Sequence, residues 1–212
     1  MRANETMYAN DGTQVCLFPM AEMIVTQESS PSSYSHCCGH PTDYGSNNVI
    51  TDVYAPFDCH KVADYTTLGG SGHTVIYCSD SPVRTPSGDT YVTCQFTHDA
   101  NPPLGDSYKQ GQVIYHTGAY GWVTGIHLHL DQANVYNDSW VSYGYKCSGG
   151  TTNCWALKNS VQPNTIFYIN DTTITNGGSF DWKKFEEEPS PTPTKKKMPL
   201  WMYCLNPIYK KY

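Results

Sequence analysis

The sequence predicts a mainly β fold, and three observations carry that prediction. Tyrosine and glycine each occur 17 times and proline 14 times in 212 residues, a composition suited to strands and turns rather than helices. Only 15% of residues are charged, and the long Leu, Ala, Glu and Lys runs of a helical chain are scarce. From about residue 31 to 175, short runs rich in β-branched and aromatic residues recur between turn signals: VITDVYAP, HTVIYCS, TYVTCQF, QVIYHTG, GIHLHLD and TIFYI. That spacing predicts an antiparallel sheet or sandwich.

The length suits one hydrophobic core with short appendages. Residues 1–30 are mixed in character and run into TQESSPSS, where Ser and Pro disfavour a strand, so they are expected to form a lead-in segment. Residues 31–178 hold the strand-like runs and form the expected domain. Residues 179–212 contain EEEPSPTPTKKK, two opposite charge blocks around alternating prolines, which predicts a disordered linker. The short apolar tail MPLWMYCLNPIYKKY follows, broken by two prolines and too short to span a bilayer. Packing on the domain, docking to a virion or lysis-complex protein, and membrane contact all remain open for it.

A net charge of −6 and a pI near 5.7 provide no broad basic face, which argues against nucleic acid as a partner. The opening MRANETMYANDGTQ lacks the apolar stretch of a signal peptide, so synthesis in the cytoplasm without a signal is expected. The nine cysteines, Cys16, Cys37, Cys38, Cys59, Cys78, Cys94, Cys147, Cys154 and Cys204, form an odd set without a C-x-x-C pair. Mostly reduced, partly buried thiols are expected. Cys147 and Cys154, bracketing a Gly-rich loop, are the pair placed to close a loop on each other.

The chemistry concentrates in histidines. In GIHLHLD, strand alternation sets His127 and His129 side by side on one face, roughly 7 Å apart at Cα, with Leu128 and Leu130 on the other. Alone, an H-x-H pair is as readily two surface histidines. A catalytic zinc needs about three N, O or S ligands and an open position, and SHCCGHPTDYG supplies upstream donors in His36 and Asp43, seven positions apart. His40 lies inside that interval and competes with His36 for the first ligand position. Cys37 and Cys38 are soft donors beside it, at most one of which could reach a metal; structural thiols are the better expectation.

These motifs resemble the lysostaphin-type, LytM-like zinc endopeptidases over roughly residues 33–132. The family opens its core with a His and Asp pair, here His36 and Asp43. DVYAPFDCHKV is similar to its "V-x-A-P-x-x-G-x-V" strand pair, with Cys59 near the usual turn glycine. CQFTH supplies the next histidine, YKQGQVIYHTG the Gly-Gln pair before a strand, and GIHLHLD the "G-x-H-L-H-F-E" motif. The His-to-Asp interval is longer than the commoner H-x-x-x-D.

The resemblance implies an antiparallel LytM-like peptidase domain holding one Zn2+ by His36, Asp43 and His129. His98 and His127 would be the catalytic imidazoles, orienting water, stabilising the oxyanion and protonating the leaving amine. It implies a peptidoglycan endopeptidase cutting cross-bridge or stem peptides, a hydrolase of cell-wall lysis. Without a signal peptide, a phage endolysin or tail-associated lysin acting at the bacterial wall fits. His60, His73 and His116 have no slot in the pattern, although His116 follows the Gly-Gln strand closely enough to line the groove. No H-E-x-x-H helix is present to supply a glutamate base. Two readings from other classes stand beside this one: a LytM-like regulator without catalysis, and a wall-binding or structural virion module with incidental histidines.

Overall fold

A computed structural model of the chain describes residues 1–22, 24–45, 47–150, 153–179 and 185–186. In chain order its strands are β1 (Ile24–Gln27), β2 (Thr42–Gly45), β3 (Asp52–Tyr54), β4 (Cys59–Asp64), β5 (Val75–Ser79), β6 (Val83–Thr85), β7 (Gly88–Thr90), β8 (Thr93–Thr97), β9 (Ser107–Tyr108), β10 (Val113–His116), β11 (His127–Ala133), β12 (Trp140–Ser142) and β13 (Trp155–Leu157). The expected mainly β, antiparallel architecture is what forms. Seven strands make the central sheet in the order β1-β2-β11-β8-β5-β4-β9, every neighbouring pair antiparallel.

Alternation decides which residues meet the core. Tyr44, Leu128, Leu130, Phe96, Val75 and Tyr77 turn one face of the sheet inward, where Phe18, Val53, Ile114, Ile166 and Phe167 cover it. Phe18 sits edge-on to both Tyr44 and Phe167, with ring centroids 5.1 and 5.3 Å apart, a geometry that aligns ring edges with ring faces. The intervening residues, Asp43, His129, Thr97, Asp131 and Gln95, form cross-strand rows on the other face: Asp43↔His129↔Thr97 and Asp131↔Gln95.

Two segments depart from expectation. The first thirty residues, expected as a lead-in, place Cys16, Phe18, Met20 and Val25 inside the main core, and β1 is an edge strand paired with β2. The polar letters after Val25 concealed the apolar residues before them. TIFYI, expected as a strand, begins as a single helical turn, α1 (Pro163–Ile166). Pro163 fixes the first turn's φ, and its β-branched and aromatic residues serve burial: Ile166 and Phe167 are fully buried.

The cysteine expectation is corrected. Cys37 is bonded to Cys147 and Cys38 to Cys154, across 110 and 116 residues, so Cys147 and Cys154 do not close a loop on each other, and Cys37 and Cys38 are not thiols. Cys16, Cys59, Cys78 and Cys94 do remain as buried thiols. Of the expected linker and apolar tail, residues 180–184 and 187–212, Cys204 among them, lie outside the described residues. Phe185, just ahead of the charged run, packs beside Tyr168, with centroids 5.2 Å apart.

Candidate active site

Three elements bring the donors together on the polar face of the sheet. β11 carries His127 and His129, β2 carries Asp43 directly across from His129, and the loop before β2 carries His36. That loop is held tightly. The Ser33 hydroxyl accepts from the His36 amide at 3.1 Å, the next residue is cross-linked to Cys147, and Gly39 has φ +60 with no room for a Cβ, which would lie 2.7 Å from Ala156.

His36 Nε2, Asp43 Oδ1 and His129 Nδ1 converge on one point. Their separations are 3.1 Å between the imidazole nitrogens, 3.1 Å from His129 to Asp43 and 3.3 Å from His36 to Asp43. Ligands at zinc's usual bond lengths of about 2.0 to 2.2 Å stand about 3.3 to 3.6 Å apart along a tetrahedral edge, so the observed edges are slightly tighter than a zinc would set them. The donor chemistry fits as well. Three acceptor-type atoms aimed at one another, one of them a carboxylate, require a cation or a shared proton between them. His36 is buried, and its Nδ1 has no hydrogen-bond partner, the consequence of turning Nε2 inward. Burial would raise the Asp43 carboxyl, but the His36 charge and the hydrogen bonds from His129 and His36 hold it well below the usual carboxylate range. Burial lowers His129.

His98 and His127 flank this triangle, with ring centroids 4.6 Å apart. The His98 Nδ1–H donates to the Tyr120 carbonyl at 2.9 Å and the His127 Nδ1–H to the Gly125 carbonyl at 2.9 Å. Each ring is thereby fixed as the tautomer whose Nε2 keeps a lone pair; that of His127 lies 3.5 Å from Asp43 Oδ2. Burial, reinforced by His129 and His127, pushes His98 down to about 3, leaving it a neutral acceptor at physiological pH.

His98 follows β8 with φ +93, a conformation costing a non-glycine residue about 1–3 kcal/mol that persists where its surroundings impose it. Its amide donates to the Gly72 carbonyl and its own carbonyl accepts from the Tyr120 amide. Gly118 packs so closely on that carbonyl that a Cβ would sit 2.1 Å from the oxygen.

The other histidines stand apart. His40 is half-buried with its amide bonded to Ser160 and is not among the converging donors. His60 bridges Asp80 and Asn137. His73 stacks on Tyr120. His116, without a slot in the pattern although close enough in sequence to line the groove, donates from its ring and amide to Asp99, 2.7 and 3.1 Å away, and is absent from the cavity wall. The sulfurs of Cys37, Cys147 and Cys154 also lie within 4.8 Å of one another, but as members of two adjacent disulfides they offer no thiolate to a metal.

The site opens into a groove of about 300 Å³. Tyr34 stacks on Trp122 at one wall, and Trp140 lies tilted against Trp155 at another, with ring centroids 4.8 Å apart. Beneath the histidines, Asp131 is fully buried and accepts from the Leu157 amide and Ser160 hydroxyl, tying β13 and the following turn to β11; burial pushes its carboxyl up to about 6. Sequence reasoning missed the groove residues Gln95, Thr97, Trp122 and Trp140. For Gln95 and Thr97 the signal was present: in Thr93-Cys94-Gln95-Phe96-Thr97 polar and apolar residues alternate, placing three polar side chains on one face.

No family model matches the chain. Morphogenesis protein 1 of Bacillus phage B103 is 30% identical over 179 residues, covering 81% of this chain and 45% of the phage protein; the chain thus spans less than half the length of that curated relative. Among solved structures, the chain is similar to a zinc-containing peptidase from Vibrio cholerae (19% identity, 60% of this chain and 42% of that one, TM-score 0.41). It is also similar to the catalytic domain of the antimicrobial peptidase lysostaphin from Staphylococcus simulans (20%, 62% and 82%, TM-score 0.35). A third is a variant catalytic domain of the prophage-encoded M23 protein EnpA from Enterococcus faecalis (18%, 71% and 95%, TM-score 0.44).

Proposed function

We propose that this chain is a lysostaphin-type zinc endopeptidase that hydrolyses peptide bonds of bacterial peptidoglycan, as part of a phage virion or lysis apparatus. The observation that carries the reading is the triangle of His36 Nε2, Asp43 Oδ1 and His129 Nδ1 with edges of 3.1 to 3.3 Å. Zinc bound there would supply Lewis-acid polarisation of a scissile carbonyl and a water acidified to near neutrality.

The remaining chemistry belongs to the chain. An extended peptide would lie in the groove between the Tyr34–Trp122 and Trp140–Trp155 walls. With Nδ1 committed to carbonyls, the Nε2 atoms of His98 and His127 can take a proton from the attacking water and return it to the leaving amine. The Tyr120 and Gly125 carbonyls keep each ring aimed through that exchange, and each ring becomes a hydrogen-bond donor to developing negative charge once protonated. The association with a phage rests on the relative from Bacillus phage B103.

The test is release of new amino groups from purified peptidoglycan, comparing the native protein, a chelator-treated sample restored with zinc, and His98→Ala. Zinc-restorable release that falls about 10²- to 10⁴-fold in His98→Ala, with zinc content unchanged, is expected. Stoichiometric zinc with no release from several cross-bridge chemistries would favour a regulator or binding module instead.

A further inference from the structure

Besides His36 Nδ1, the described residues lining the groove hold two buried polar atoms that bond to nothing in the protein: Gln95 Oε1 and the indole Nε1 of Trp140. Both residues line the groove. Gln95 is 1% exposed and stands in register with Asp131 on one side and Ile76 on the other; Trp140 packs against the cluster containing Ile76. Leaving such atoms unpaired is costly, and in a groove the missing partner is naturally a ligand.

A chain of hydrogen bonds fixes which end of the Gln95 amide is unpaired. The Thr74 hydroxyl gives its proton to the Ser71 carbonyl at 2.5 Å, so it can only accept from the Thr97 hydroxyl 3.0 Å away. Thr97, its own proton committed, can only accept from Gln95 Nε2 at 3.2 Å. The Gln95 carbonyl is therefore the free end and a pure acceptor, while the Trp140 indole is a pure donor.

An acceptor and a donor lining one groove match the amide groups of a peptide, whose N–H and C=O are their complements. A carboxylate offers no proton to Gln95 and would lie beside the buried Asp131. We propose that Gln95 is a specificity-determining residue: its carbonyl receives an amide N–H of the substrate near the scissile bond, with Trp140 donating to a substrate carbonyl, so that the groove accepts a carboxamide or peptide N–H and rejects a carboxylate. The proposal rests on the peptidase reading only for the position of the scissile bond.

The test separates the two readings. Zinc-loaded His98→Ala protein is titrated calorimetrically with three short wall-type peptides: one carrying a side-chain carboxamide, its carboxylate twin, and a version N-methylated at the backbone. The Trp140 indole N–H is followed by NMR, and native protein is assayed for cleavage of the same peptides. The amide peptide is expected to bind about tenfold or more tightly than its carboxylate twin, in keeping with rejection by unpaired buried polar groups, with a shift of the Trp140 resonance. N-methylation abolishes the shift if the backbone supplies the amide and leaves it if the side chain does. Gln95→Met should erase the preference while zinc content stays unchanged, and Thr97→Val, which frees the amide to flip, should weaken it. Equal binding of the amide and carboxylate peptides overturns the proposal even if both are cleaved. Selective binding without cleavage sustains it and overturns the peptidase reading.

Discussion

The two faces of the β2–β11–β8 ladder are made from alternate residues of the same strands, yet their tasks are opposite. Tyr44, Leu128, Leu130 and Phe96 are fully buried on one face and draw their stability from apolar contact. Asp43, Asp131, Gln95 and Thr97, on the other, are nearly as buried but polar, and leave bonding capacity unspent, as the convergent donors and the bare Gln95 carbonyl show. The apolar face thus carries the destabilisation that the polar face introduces. Because strand side chains repeat every two residues, a slip of one position would exchange the faces; function and stability are read from one register.

Substituting adjacent residues of β11 should separate the two faces. The largest effect is expected for His129→Ala: bound zinc, measured by atomic absorption, and hydrolysis should disappear together, while the melting temperature of the metal-free protein falls only modestly, through loss of one of the partners that keep Asp43 ionised. A large fall in metal-free stability would show that the polar face also supports the fold. Reduction of the Cys37–Cys147 and Cys38–Cys154 bonds comes next. Loops of 110 and 116 residues correspond to about 4 to 5 kcal/mol for the first cross-link and little for the second, whose loop overlaps the first almost entirely, to be read as a drop in denaturation midpoint with thiol reagent.

Leu130→Ala, on the apolar face, should cost about 2–5 kcal/mol by chemical denaturation, with zinc binding and specific activity of the folded fraction retained. Smallest is Asp58, remote from both faces. Its partial burial raises its pKa, but Lys109, the Gln110 amide and Gln14 together lower it below the ordinary value. A depressed folded pKa contributes stability above the unfolded value of about 3.9, lost as pH falls through the folded value. Asp58→Asn should flatten that acid limb by less than about 1 kcal/mol, because the Lys109 partner is largely exposed.

How much of this was legible in the sequence depended on range. GIHLHLD was readable because strand alternation is a local rule, and the sheet places its two histidines and two leucines on the faces the rule assigns. His36 and His40 could not be separated by spacing, since the loop between them and Asp43 turns at Gly39 and is set by cross-links to residues more than a hundred positions away. The same distance hid the disulfide partners, because cysteine counts carry no connectivity. TIFYI was misread because burial and strand formation favour the same residue types, and only Pro163 hinted at a turn. Gln95 was overlooked because a glutamine announces nothing until its neighbours' hydrogen bonds are known.

The paired cross-links also bear on timing. The residue after His36 is tied to a partner 110 positions later in the chain, so the loop carrying this donor is secured only once that later segment has reached it, and only where thiols can oxidise. A chain still in a reducing compartment would have its sheet but a loosely held first ligand. On the proposed reading, the site would be completed late, on passage to oxidising surroundings.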